Sequence, residues 1–141
     1  MVVLVIDSVT PVLYVALIKG EHVIERTCDV QKAHDKNLNR SVKEVLSESG
    51  IAFPDIDAFA VVTGPGSWTG CRVGVVAVKA YALAANASAS LNIIDLRACD
   101  RENIVSNVID KFKKKEFITA AELMPFYDGE FKVTLRNTMP N

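Results

Sequence analysis

The chain has 141 residues, a formal net charge of −1, 50% hydrophobic and 23% charged residues. That length holds one domain, or one domain with a small appendage, and the apolar half is enough for a real core. The near-neutral charge excludes nucleic-acid binding through a global basic excess. The lack of an apolar run of about 18 residues (Lys79 interrupts the longest) excludes a helical membrane span.

Three cysteines, Cys28, Cys71 and Cys99, are odd in number and lack C-x-x-C spacing. They argue against a disulfide framework or a zinc site and fit a reducing compartment. The apolar start runs straight into Asp7 without a basic segment, unlike a signal peptide. The expectation is a soluble, cytoplasmic protein.

Val2 to Ile6 is a continuous apolar run suited to a buried central strand. Val12 to Ile18 reads as a second strand, and Lys19-Gly20-Glu21 as a tight connection to a third, His22 to Cys28. From Ala33 to Ser49, Leu38, Val42, Val45 and Leu46 trace one helical face, and Gly50 is a C-terminal stop. Asp57 to Thr63 is a fourth strand, Cys71 to Ala85 a second helix and Leu91 to Leu96 a fifth strand. Asp100 to Phe112 carries a helical stripe ending in Lys111, Lys113, Lys114 and Lys115. A last hairpin is predicted between Met124–Tyr127 and Phe131–Leu135 through Asp128-Gly129. The order βββαβαβ resembles a ribonuclease H-like, actin-like lobe: an α/β fold with a five-stranded mixed sheet.

The loop from Gly64 to Gly74 joins the fourth strand to the second helix. Such a junction can present backbone N–H groups to an anion. It carries no Lys-Ser/Thr pair after the last glycine, so it is not a phosphate-cradling P-loop, and its spacing misses G-x-G-x-x-G by one residue. A Ser67–His34 nucleophile pair lacks an orienting third group. Asp7 closes the first strand and is read first as a turn-capping carboxylate, second as a nucleotide or metal contact. Two-metal chemistry needs several converging carboxylates, and the fourth strand ends in Thr63-Gly64 rather than an acid. His22 and His34 are too isolated to make a metal site. Glu44 and Glu48 read as a solvated helix face, and the lysines at 111–115 as a solvated helix end before an RNA contact.

The second helix is apolar nearly all round. Val73, Val76, Ala77, Ala80 and Ala84 share one side, and Val75, Val78, Tyr81, Ala82 and Ala85 the other. That implies burial on two sides. Either the C-terminal segment or a protein partner covers the second side, and small residues there allow close helix approach.

These segments resemble the TsaB (YeaZ) family over residues 1–98. The resemblance rests on Ile6-Asp7-Ser8, the hairpin strands, His34 with its helix, Asp55-Ile56-Asp57-Ala58 and the loop string. That string reads Gly64-Pro65-Gly66-Ser67-Trp68-Thr69-Gly70-Cys71-Arg72-Val73-Gly74, with Trp68 and Cys71 where Phe and Leu are more usual. The resemblance implies a subunit without catalytic residues, metal ligands or a cofactor. Such a subunit pairs with the transferase TsaD and works with the ATPase TsaE to form N6-threonylcarbamoyladenosine (t6A) in tRNA, its own contact with tRNA being indirect. It also implies pairing through the two helices of the first lobe, which points to His34, Leu38, Val42, Val73, Val76, Ala77, Ala80, Tyr81 and Ala84. The signature loop, with Asp7, comprises Gly64, Pro65, Gly66, Ser67, Trp68, Thr69, Gly70, Arg72 and Gly74. Family members carry a second lobe, for which residues 99–141 are too few; these are expected to form a reduced extension. The alternatives are a ribonuclease H-like hydrolase or minimal ATPase using Asp7, and a degenerate relic that only homodimerises.

Overall fold

A computed structural model of the protein describes residues 1–29, 34–66, 68–85 and 92–127, without the side chains of His34, Asp35 and Trp68. Along these residues run β1 (Val2–Asp7), β2 (Leu13–Lys19), β3 (His22–Cys28), α1 (His34–Ser49), β4 (Ala58–Val61), α2 (Trp68–Ala85), β5 (Ile93–Asp95) and α3 (Ile104–Lys113). Short 3₁₀ turns, Phe53–Asp55 and Arg101–Asn103, precede β4 and α3.

The sheet order is β3-β2-β1-β4-β5. β1 pairs antiparallel with β2 and parallel with β4, so Val5 lies between Ala16 and Ala60. β2–β3 is antiparallel and β4–β5 parallel. This is the expected five-stranded mixed sheet.

The continuous apolar character of β1 follows from burial on both faces. Leu4 and Ile6 join one core with Leu38 and Val45 of α1 and Val75 and Val78 of α2. Val3 and Val5 join a second core with Ile104 and Val108 of α3. All four β1 residues are fully buried. β3 is one of the two edge strands, and its exposed Glu25 discourages further strand pairing there.

Gly50 ends α1 as predicted, in the left-handed conformation (φ 72°). The Ile51 N–H donates to Leu46 O at 3.2 Å and the Gly50 N–H to Ser47 O at 3.4 Å, a Schellman closure. Several bounds differ from expectation. β4 stops at Val61, where its pairing with Ile6 of β1 and Asp95 of β5 ends. α2 starts at Trp68, so Thr69 and Gly70 belong to its first turn. Met124–Tyr127 is irregular rather than a strand. The predicted partner segment Phe131–Leu135 lies outside the described residues.

No helix among the described residues is long and apolar enough to cross a membrane.

Candidate partner-binding groove and the glycine-rich loop

The glycine loop is packed against its own chain. A Cβ on Gly64 would stand 2.0 Å from the backbone oxygen of Phe126, and one on Gly66 2.6 Å from that of Val9. One on Gly74 would meet Ser8 Oγ at 2.7 Å. The Ser8 hydroxyl donates to Gly70 O at 2.7 Å, tying the end of β1 to the first turn of α2. The Gly64–Pro65 bond is cis. The glycines thus make room for the β1–β2 connection and for the segment around Phe126. Ser67 lies outside the described residues.

Asp7 is held as a turn cap, and by a partner that sequence reasoning missed. Its side chain is 2% exposed. Oδ1 accepts the Val9 N–H at 3.1 Å. Oδ2 accepts from Arg101 Nε at 3.1 Å and Nη2 at 2.8 Å. Nη2 also donates to Thr10 Oγ1 at 2.9 Å and Val12 O at 2.8 Å, and the guanidinium lies 5.0 Å from the Tyr14 ring centroid. A cation therefore already sits on the carboxylate that the enzymatic alternative would use. Nothing local in the sequence marked Arg101, which is 94 residues away. Among the described residues, no cluster of three or more His, Cys, Asp or Glu side chains could hold a metal.

Cys71 lies under the loop, fully buried, with its thiol 3.9 Å from Phe126 O. Burial, then the charge of Asp7, pushes the thiol pKa up. A buried, high-pKa thiol is a poor nucleophile, whereas Cys28 and Cys99 are partly accessible. In native protein, Ellman's reagent should titrate two thiols quickly and the third only after unfolding. Cys71→Ser should remove the slow one alone.

The two sides of α2 separate as expected except at Tyr81, which lies on the groove side with Val73, Val76, Ala77 and Ala80 rather than with Val75 and Val78. Cys71, Val75, Val78, Ala82 and Ala85 are buried in the sheet core. On the other side Val76 is 61% and Leu83 72% exposed, and Ala80 and Ala84 are exposed too. Leu83 was not singled out from the sequence. Between α1 and α2 lies an open groove of about 490 Å³, lined by Leu38, Asn39, Thr69, Arg72, Val73, Val76, Ala77, Ala80 and Tyr81. Tyr81 donates its hydroxyl to Asn39 Oδ1 across it, and its ring packs 5.4 Å from Phe53. Burial raises the Tyr81 pKa.

Six of the nine residues predicted for the partner surface line this groove: Leu38, Val73, Val76, Ala77, Ala80 and Tyr81. Val42 does not line it, and like Leu38, which does, it is 2% exposed and packs in the core on the sheet-facing side of α1. Ala84 is exposed beyond the groove's end. His34 opens α1, and its side chain is outside the description.

The sequence pattern of the TsaD family, tRNA N6-adenosine threonylcarbamoyltransferase, matches residues 27–98, just over half of the chain. The chain belongs to this family. Its relatives include TsaB. The tRNA threonylcarbamoyladenosine biosynthesis protein TsaB of Haemophilus influenzae is 36% identical over 86 residues, 59% of this chain and 35% of that one. TsaB of Bacillus subtilis is 29% identical over 115 residues, 78% of this chain and 50% of that one. The fold matches YeaZ from Pseudomonas aeruginosa with a TM-score of 0.64 at 23% identity, over 79% of this chain and 50% of that one. The ribonuclease H-like lobe expected from the element order is consistent with this match. The chain spans half or less of the length of the curated relatives it matches.

Proposed function

We propose that the chain is a non-catalytic subunit of a tRNA t6A-forming assembly, and that it docks a TsaD-like transferase in the groove between α1 and α2. The observation that carries this reading is the uncovered apolar side of α2. Val76 and Leu83 are more than half exposed beside alanines that permit close helix approach. Burying each of the two large side chains contributes about 1–2 kcal/mol to association. The names of the TsaB relatives support the pathway. The engagement of Asp7 by Arg101 removes the main support for the hydrolase or ATPase alternative. A TsaE-like ATPase belongs to the same proposed assembly, and self-association is the competing use of the same face.

The test is light scattering on a sizing column, with the chain alone and mixed with the same organism's TsaD. A 1:1 complex is expected, and Val76→Glu or Ala80→Glu should abolish it, since each would place a carboxylate in a desolvated interface. Both sites are exposed in the free chain, so the variants should unfold at the wild-type urea midpoint. Wild-type complex formation by both variants would refute the placement. A homodimer that ignores TsaD would refute the partner.

A further inference from the structure

We infer that the outer face of α1 is an RNA-backbone contact, formed by Lys36, Arg40 and Lys43 with Arg26 of β3 beside them. The inference rests on the reading above, that the chain works on tRNA. It replaces the expectation that tRNA contact is indirect.

The first observation is placement. Lys36, Arg40 and Lys43 are spaced i, i+4, i+7, which puts them on one helical face, and all three are exposed. With Arg26, and with Glu44 and Glu48 that pair with it, they border a shallow polar hollow on the side of α1 away from its core-packing residues. The stripe is about 10 Å long at the helical rise per residue, enough for about three phosphates of one strand. Asn39 borders both this hollow and the α1–α2 groove. RNA on the stripe would therefore lie next to a transferase docked in the groove.

The second observation is the order of charge along α1. A helix favours anions in its first turn and cations in its last. Asp35 and Glu44 apart, the charged positions in the first three turns of α1 are cations, Lys36, Arg40 and Lys43, and the last turn carries Glu48. Like charges at i, i+4 and i, i+3 repel. The helix thus holds an arrangement that local stability disfavours, and such conflicts concentrate at functional surfaces. The carboxylates nearby, Glu44 and Glu48, make their ion pairs with Arg26 rather than with the stripe. Arg40 bonds only the neutral Asn37 amide oxygen, and Lys36 and Lys43 make no ion pair among the described residues.

The lysines of α3 show the opposite pattern. They sit at the C-terminal end, where a helix favours cations. Lys114 pairs with Asp110 at 3.1 Å and Lys111 with Glu116 at 3.3 Å. Helix stability accounts for them without RNA.

The experiment is fluorescence anisotropy of a labelled, unmodified tRNA transcript against the full chain and against its complex with TsaD, over a salt series. Combining Lys36→Gln, Arg40→Gln and Lys43→Gln should weaken binding by about tenfold or more and reduce the salt slope by about 2–3. The same treatment of Lys113, Lys114 and Lys115 should change neither. The α1 triple variant should keep its helical circular dichroism, since it relieves repulsion, and should still form the TsaD complex. Unchanged affinity and slope in the α1 variant, a loss confined to the α3 variant, or no tRNA binding by either wild-type sample would overturn the inference. Failure to bind TsaD while the stripe still binds tRNA would overturn only the docking reading.

Discussion

Arg101→Ala is expected to destabilise the protein by about 2–4 kcal/mol, read as a lower urea midpoint at unchanged slope. The substitution leaves the Asp7 carboxylate, 2% exposed, with a single backbone N–H partner. A buried pair broken from one side costs about 3–5 kcal/mol. The figure is reduced here because Arg101 is 29% exposed, so water screens part of the pairing. The same asymmetry predicts that Asp7→Asn costs less. The asparagine oxygen can still accept from Val9, and the released guanidinium keeps Thr10, Val12 and water. In the double variant the two costs should not add; a coupling above about 1 kcal/mol is expected. Additivity within about 0.5 kcal/mol would mean that Arg101 acts through its Thr10, Val12 and Tyr14 contacts, not through Asp7. Loss of Mg²⁺-dependent hydrolysis in Asp7→Asn, at unchanged stability, would restore the enzymatic alternative.

The contrast between Asp7 and α2 shows which features a sequence exposes. Both cores were legible because their signals are local. Val2 to Ile6 is apolar at every position, as a strand covered on two faces must be, and Leu38, Val42, Val45 and Leu46 repeat at helical spacing. The exposed side of α2 was legible for the same reason: Val76 and Ala80 are a helical turn apart, on a helix with too few polar residues to face water. Arg101 carries no such signal. Its role depends on α3 packing against the second face of the sheet, which brings the preceding 3₁₀ turn to the end of β1. Local pattern does not encode that juxtaposition. The segment after α3 lacks a local signal for a related reason. Leu123 is fully buried in the core shared with α1 and α2, and Ile118 forms a single bridge with Ile93. Contacts this sparse leave no alternation to read. The loop glycines mark a close approach to the backbone, because glycine permits one. Which partner makes the approach, an anion or residues 9 and 126, is decided only in three dimensions.

Gly64→Ala should be the most damaging single methyl addition in the loop, costing about 3–5 kcal/mol. Gly64 has φ 134°, a conformation that costs an L-residue about 1–3 kcal/mol. The new Cβ would also stand 2.0 Å from Phe126 O and 3.1 Å from Cys71 Sγ. Overpacking of this kind adds about 1–3 kcal/mol. The obstacle is backbone, held by the Phe126 N–H bond to Thr63 O at 2.8 Å and by the Arg97 guanidinium 4.5 Å from the Phe126 ring centroid. Relief therefore requires the segment near Phe126 to lift away. Gly50→Ala is the matched control. Gly50 also has positive φ, 72°, but nothing lies within 4 Å of its would-be Cβ. It should cost only the left-handed backbone term, about 1–2 kcal/mol. Urea midpoints separate the two, and the labelling rate of Cys71 says where the strain goes. If the segment lifts, Gly64→Ala should speed Cys71 labelling well before global unfolding, while Gly50→Ala should leave it slow. Equal destabilisation by the two variants would show that backbone conformation alone makes these positions glycine, and that Phe126 yields at little cost.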